Sequence, residues 1–221
     1  MEDKAPIAIF DFCGTFVNFQ TADAFALYCL SEEQKARLNR KIAFYDKTKI
    51  SFIFGIFGYS IKKHLIAKEL KGLKRDEITK LAKDFTVGKL LPNINQKVLG
   101  LFNTSKEKGY QVVLVSAAYD VYLSEFNAFY RFDRIICSQL EVKNNHLTGR
   151  IVNDCIGKKK VKYLRKYLDE KYGGRDKYEI MVSVGDSKSD IPILDLARTP
   201  VVISDTRKKW FKRNYTIIHE D

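Results

Sequence analysis

The sequence predicts an α/β fold: a parallel sheet with helices on both faces, interrupted after its first strand by an all-helical insert. Three observations predict it. Short, continuous apolar runs of strand length alternate with amphipathic helical stretches. The long stretch between Val17 and Leu91 holds no convincing strand. Three polar residues, Asp11, Ser116 and Asp186, each fall at the carboxyl end of an apolar run, which is where parallel sheets bind their ligands.

Residues 6–10 are a short apolar run ending at Asp11, and they read as a buried parallel strand followed by a loop over 11–15. The insert comes next. Ser31-Glu32-Glu33-Gln34 is a capping-box start, and Arg75-Asp76-Glu77-Ile78 opens another helix. Leu91-Pro92 marks the return to the sheet. These signals divide the chain into a core, residues 1–16 and 91–221, and a helical cap, residues 17–90. Within the core, 94–108 is an amphipathic helix closed by Gly109, and 111–115 is a second buried strand ending at Ser116. Residues 120–129 are helical, and 134–137 form a third strand. A hairpin over 140–142 and 147–152 turns at Asn144-Asn145. A basic helix over 157–171 leads to a fourth strand, 179–184, ending at Gly185-Asp186. A helix over 191–197 and strands at 200–203 and 215–218 complete the chain. Alternation of this kind implies right-handed crossovers.

A chain of 221 residues can bury one good core and a small insert. The formal charge of +12 and pI near 9.4 favour anionic partners, namely phosphorylated metabolites, nucleic acid or an anionic membrane surface. No nucleic-acid-binding signature is present, so no specific nucleic-acid partner is expected. Cys13, Cys29, Cys137 and Cys155 form no C-x-x-C pair. They read as reduced thiols in a cytoplasmic protein rather than a disulfide framework or zinc site. The first residues lack a signal-peptide layout. The most apolar window, 50–61, is too short to span a bilayer and is broken by Gly55 and Gly58. It reads as a buried cap helix. With Lys62, Lys63 and Lys68 beside it, weak association with an anionic membrane stays open as an alternative. His64, His146 and His219 match no ligand spacing and read as structural or surface residues.

Each candidate site residue has a plain reading when taken alone. An Asp after a strand is commonly a turn or helix cap, Gly-Asp-Ser is usually a turn, and Lys160 sits in a run of lysines. Thr15 reads equally well as a loop hydroxyl with a structural hydrogen bond. The joint pattern is more specific. Asp11-Phe12-Cys13-Gly14-Thr15, Val115-Ser116-Ala117, Gly157-Lys158-Lys159-Lys160-Val161 and Gly185-Asp186-Ser187-Lys188-Ser189-Asp190 occur in order, each at a strand end or helix start. Together they resemble the four motifs of the haloacid dehalogenase-like superfamily, in particular its phosphoserine-phosphatase-like branch. The resemblance covers nearly the whole chain and implies a Rossmann-like core with a helical cap.

The resemblance also implies chemistry: a Mg²⁺-dependent phosphatase or phosphotransferase acting on a small phosphorylated metabolite. Asp11 would attack phosphorus and form an aspartyl-phosphate. Asp11, Asp186 and the backbone carbonyl of Cys13 would offer oxygen ligands to Mg²⁺, with Asp190 at the same metal site orienting a metal-bound water or Lys160 from behind them. Ser116 and Lys160 would hold the phosphate oxygens, with Gly14, Thr15 and Ala117 beside them. Catalysis of this kind is mostly positioning and charge neutralisation. Tyr119 and Asp120, just after the second motif, are further candidates to reach substrate, although Asp120 also reads as a helix N-cap.

One position departs from the family pattern. The first motif is usually D-x-D-G-T, and here Cys13 replaces the second Asp, which protonates the leaving group and later activates water. General acid–base catalysis contributes about 10²–10⁴-fold. A thiol is a poorer hydrogen-bonding group and, while protonated, a poor base. The alternative reading is therefore a catalytically impaired binding or regulatory protein on the same fold.

Overall fold

The computed structural model describes residues 4–47 and 61–219. Its sheet has seven strands in the order β4-β3-β2-β1-β5-β6-β7. They are β1 (Ala5–Phe10), β2 (Gln111–Tyr119), β3 (Arg134–Lys143), β4 (His146–Val152), β5 (Tyr178–Gly185), β6 (Thr199–Ile203) and β7 (Thr216–Ile218). Every neighbouring pair is parallel except β3 with β4. The crossovers carry α5 (Gln96–Glu107), α6 (Asp120–Tyr130), α7 (Lys158–Tyr172) and the short α8 (Ile191–Leu194). The first strand in sequence is central in space. Phe10 of β1 stands beside Leu114 of β2 and Val184 of β5, so Asp11 leaves the sheet between the carboxyl ends of both neighbours.

The period of two along β1 sorts its side chains between two cores. Ala8 and Phe10 face one side, where Phe16, Phe102, Phe126 and Phe132 pack edge-on. Ile7 and Ile9 face the other, against Val113, Val115, Leu164 and Leu168. A sheet covered on both faces explains why its strands read as continuous apolar runs.

The insert holds α1 (Thr21–Cys29), α2 (Glu32–Lys47), α3 (Ile61–Glu69) and α4 (Arg75–Phe85), followed by a π-helical turn over Thr86–Leu90. Among the described residues it contributes no strand to the sheet. The capping box at Ser31 is present: the Ser31 N–H donates to Gln34 Oε1 at 2.9 Å, and the Gln34 N–H to Ser31 Oγ at 3.3 Å. α4 buries Ile78, Ala82 and Phe85, one face of a 3.6-residue period. The apolar window 50–61 lies outside the described residues but for Ile61, which opens α3. Among the described residues no helix is long and apolar enough to cross a membrane.

The cap is fastened to β4 through its backbone. The Gly72 N–H donates to Leu147 O, the Leu147 N–H to Leu73 O and the Arg75 N–H to Asn145 O, each at 2.9 Å. α3 lies close over the strand: a Cβ on Gly149 would come within 3.1 Å of the Lys68 Cα. The hairpin turn itself places Asn144 and Asn145 at φ of 49° and 61°, left-handed values that asparagine tolerates well.

Three elements differ from the sequence expectation. β2 does not stop at Ser116 but runs to Tyr119, because its pairing with β3 resumes there, opposite Ser138, after an irregularity. The expected strands at 134–137 and 140–142 are one strand, which pairs parallel with β2 and then antiparallel with β4. The helix expected over 191–197 ends at Leu194, because the chain must turn back for the Arg198 N–H to bond Ile180 O on β5.

Candidate active site

Two glycines create the space in which the site's carboxylates meet. Gly14 follows β1 at φ +72°, and a Cβ there would lie 2.6 Å from Asp186 Oδ2. Gly185 ends β5, and a Cβ there would lie 2.7 Å from the Cβ of Asp190. With no side chain at either position, one carboxylate oxygen from each of Asp11, Asp186 and Asp190 falls within 4.8 Å of the others, forming a group able to hold a metal ion. Thr15 is buried and donates its hydroxyl to Asp186 Oδ1 at 2.9 Å.

Lys160 enters from the first turn of α7 and is only 2% exposed. Its ammonium donates to Asp11 Oδ1 and to Asp190 Oδ1, both at 2.6 Å. The other Asp190 oxygen accepts from Ser187 Oγ at 2.6 Å and from the Ser187 N–H at 3.1 Å. Three carboxylates thus face one ammonium. Burial, then repulsion from Asp190, raises Asp11 to about 6 against the pull of Lys160. Burial, then repulsion from Asp11 and Asp190, raises Asp186 to about 7. Burial opposes the Lys160 charge, but Asp11 and Asp190 outweigh it and hold that ammonium well above its ordinary range. Surplus buried negative charge on hard oxygen donors suits a hard divalent cation.

Asp11, Cys13, Ser116, Ala117 and Lys160 line the base of a cavity of about 280 Å³. The sequence motifs that supply them are spread over 150 positions, and the strand ends bring them together. Ser116 is buried, and its hydroxyl accepts from the Ala118 N–H at 3.3 Å. Cys13 Sγ lies 2.9 Å from Thr21 Oγ1, which lies 2.8 Å from the Tyr122 hydroxyl. That hydroxyl accepts from the Tyr119 N–H at 3.1 Å, so Cys13, Thr21 and Tyr122 form one hydrogen-bonded chain anchored on the backbone. Burial, then the Asp11 charge, pushes the Cys13 thiol up to about 11, so it is protonated at neutral pH.

Sequence reasoning missed Thr21 and Tyr122, which carry no motif; only their convergence in space gives them a role beside Cys13. It also missed Asp154, the partner of Lys63. Two other candidates lie elsewhere. Tyr119 is fully buried and donates its hydroxyl to Lys63 O at 3.0 Å, and so holds the cap rather than the cavity. Asp120 is the first residue of α6, with Tyr119 at the cap position, and accepts from the Leu140 N–H on β3 at 3.0 Å. The histidines stand outside the cavity lining and the carboxylate group, and all four cysteines are free thiols.

A family model for haloacid dehalogenase-like hydrolases matches residues 8–195. The chain belongs to this family. Its sequence relatives include phosphoserine phosphatases from two organisms. A phosphoserine phosphatase from Lactococcus lactis is 28% identical over 106 residues, a match spanning 48% of each protein and thus about half the length of that relative. Another, from Methanocaldococcus jannaschii, is 27% identical over 201 residues, covering 89% of this chain and 84% of that one. A solved phospho-aspartyl intermediate analogue of phosphoserine phosphatase has the same fold, with a TM-score of 0.63 at 20% identity over 91% of this chain and 87% of the other. Asp11, Asp186 and Asp190 are all in place, with Lys160 bonded to two of them, so the alternative of an impaired binding protein is not favoured, although Cys13 still stands where the first motif usually has its second Asp.

Proposed function

We propose that the protein is a Mg²⁺-dependent phosphatase or phosphotransferase of small phosphorylated metabolites, with Asp11 as its nucleophile. The observation that carries this is the position of Asp11. It stands at the carboxyl end of the central strand, within 4.8 Å of two further carboxylates, bonded to a buried lysine and open to the cavity. In the first step an Asp11 oxygen bonds to phosphorus as the bond from phosphorus to the leaving oxygen breaks. Water, or an acceptor alcohol, then takes the phosphoryl group from Asp11.

Asp11, Asp186 and the Cys13 carbonyl are assigned to the cation. Mg²⁺ held there would neutralise charge between Asp11 and the phosphoryl group. Lys160 and Ser116 hold phosphoryl oxygens, with Ala117 beside them. Asp190, whose two oxygens are both occupied, orients Lys160 and Ser187. Gly14 admits Asp186 and Thr15 steadies it. The protonated Cys13 thiol gives the leaving oxygen a hydrogen-bond donor. In this reading residues 17–90 act as the cap over a core of 1–16 and 91–221, and the four free thiols support a cytoplasmic setting.

The test is hydrolysis of an aryl phosphate with and without Mg²⁺. Activity that needs the metal and disappears in Asp11→Asn is expected. A wild-type rate in Asp11→Asn would overturn the assignment.

A further inference from the structure

The loop between β6 and β7, residues 204–215, carries charge that the active site does not use. Arg207, Lys208, Lys209, Lys212 and Arg213 are all exposed, and Asp205 is the loop's one carboxylate. Lys212 pairs with Asp195 at 2.5 Å. Among the described residues the other four cations have no carboxylate partner. The loop is nonetheless held in place. Phe211 is buried with Leu194, Val202 and Tyr215. Asp195 grips the loop twice, since it also accepts from the Tyr215 hydroxyl at 2.7 Å. The Phe211 N–H closes a turn on Lys208 O at 3.0 Å, and the Tyr215 N–H another on Lys212 O at 3.2 Å. Between the cations stands Trp210, the only tryptophan in the chain. Its ring packs edge-on against Phe211, with centroids 4.5 Å apart. It is still only half-buried, and among the described residues its indole N–H has no hydrogen-bond partner.

We infer that residues 207–213 form a docking surface for an anionic lipid bilayer, with the cations on phospholipid headgroups and Trp210 at the boundary between headgroups and acyl chains. A run of cations alone is commonly a solvated face. This one is pinned by a buried anchor and centred on an amphipathic ring. An indole offers an apolar body and an N–H that needs a partner, a combination suited to that boundary. Each Lys or Arg near an anionic membrane surface strengthens binding roughly fivefold, and the attraction fades within a Debye length. Four unpaired cations and one such ring give a reversible, salt-sensitive attachment. The lysines beside the cap's apolar window offer less, because Lys62 pairs with Asp23 and Lys63 is buried with Asp154. A nucleic acid would answer the same charges, but its bases need open aromatic faces on which to stack. The loop's tryptophan is already packed against Phe211 and Tyr215. The inference stands apart from the reaction at Asp11.

The test is co-sedimentation with vesicles of phosphatidylcholine alone and of phosphatidylcholine mixed with phosphatidylserine, at low and at physiological salt. Because Trp210 is the only tryptophan, quenching of its fluorescence by brominated acyl chains reports whether this loop is the part that touches lipid. Binding and quenching are expected with the phosphatidylserine vesicles, neither with phosphatidylcholine alone, and both should weaken as salt rises. The triple variant Arg207→Gln, Lys208→Gln, Lys209→Gln changes only exposed, unpaired side chains, so its thermal melt should match the wild type. Its partition onto the mixed vesicles should fall by at least about tenfold. A control, Lys80→Gln with Lys83→Gln and Lys89→Gln, removes as much charge from exposed positions on the insert and should bind within about threefold of the wild type. The inference is overturned if the wild type fails to sediment with the mixed vesicles at low salt, or sediments without quenching. It is overturned equally if the two triple variants lose the same affinity, since net charge alone would then explain binding. Displacement of the protein from vesicles by a single-stranded oligonucleotide that binds it more tightly would assign the loop to nucleic acid instead.

Discussion

Replacing Gly14 by alanine should damage the site far more than the fold. Two effects act at once. The backbone is left-handed at φ +72°, which costs a side chain with a Cβ about 1–2 kcal/mol. For a chain of this size that lowers Tm by about 2–8 °C. The new Cβ would also sit 2.6 Å from Asp186 Oδ2, so the carboxylate must retreat by about 0.8 Å to reach ordinary contact. A displacement of roughly 1 Å at a reacting centre costs on the order of 10²-fold in rate. Gly109→Ala is the control. It has nearly the same φ, +70°, but nothing within 4 Å of its Cβ. Calorimetric Mg²⁺ titration, thermal melts and aryl phosphate kinetics on both variants separate the effects. The melts should fall together, while metal affinity and kcat/KM fall only in Gly14→Ala. If Gly14→Ala keeps metal affinity and rate within twofold of Gly109→Ala, the close approach to Asp186 does not matter and the argument fails.

Three further outcomes are expected. Cys13→Asp should raise hydrolysis of an alkyl phosphate by roughly 10²-fold or more while changing an aryl phosphate little, since only the poorer leaving group needs an acid; equal gains on both would show that protonation is not limiting. Asp154→Ala strands the buried Lys63 ammonium, so urea unfolding should report a loss of about 3–5 kcal/mol, and a loss below about 1 kcal/mol would contradict the pairing. Glu69 accepts from Arg37 at 2.7 Å and Lys41 at 2.5 Å. Burial alone would raise its carboxyl, but the two cations outweigh burial and hold it below its usual 4.5. A depressed folded pKa gives stability that is present at neutral pH and lost as pH falls through the folded value. The stability gap between wild type and Glu69→Gln should therefore close on acidification below about 4.5, and a gap constant with pH would refute it.

Much of the candidate site was legible because its residues sit where the chain changes character. Asp11, Ser116 and Asp186 each follow an apolar run, and Lys160 opens a helix behind a glycine. Strand period and strand ends are local signals, so the parallel sheet and its site could be read without coordinates. The misplaced limits have non-local causes. Ser116 falls inside β2 because of pairing with β3, and β3 continues past Cys137 because β4 is there to receive it. The same limit hid the chain from Tyr122 through Thr21 to Cys13, whose members are 101 and 8 positions apart. It also hid Asp154, 91 positions from Lys63. Pairings across such separations leave no periodicity to read.

The backbone ladder between the cap and β4 also sets the order in which the chain can be completed at the ribosome. The helical insert emerges before its landing strip, since Leu147 and Asn145 are made later than Gly72, Leu73 and Arg75. β1 waits longer still, because one of its two neighbours, β5, begins only at Tyr178. Domains that can fold alone do so amino-terminus first during synthesis. Here the earliest segments are the ones whose partners arrive last. The nascent chain must therefore carry Phe10, Phe12 and Phe16 without their ring partners until Phe102, Phe126 and Phe132 have been made, and β1 without one of its two strand neighbours until four-fifths of the protein has been made.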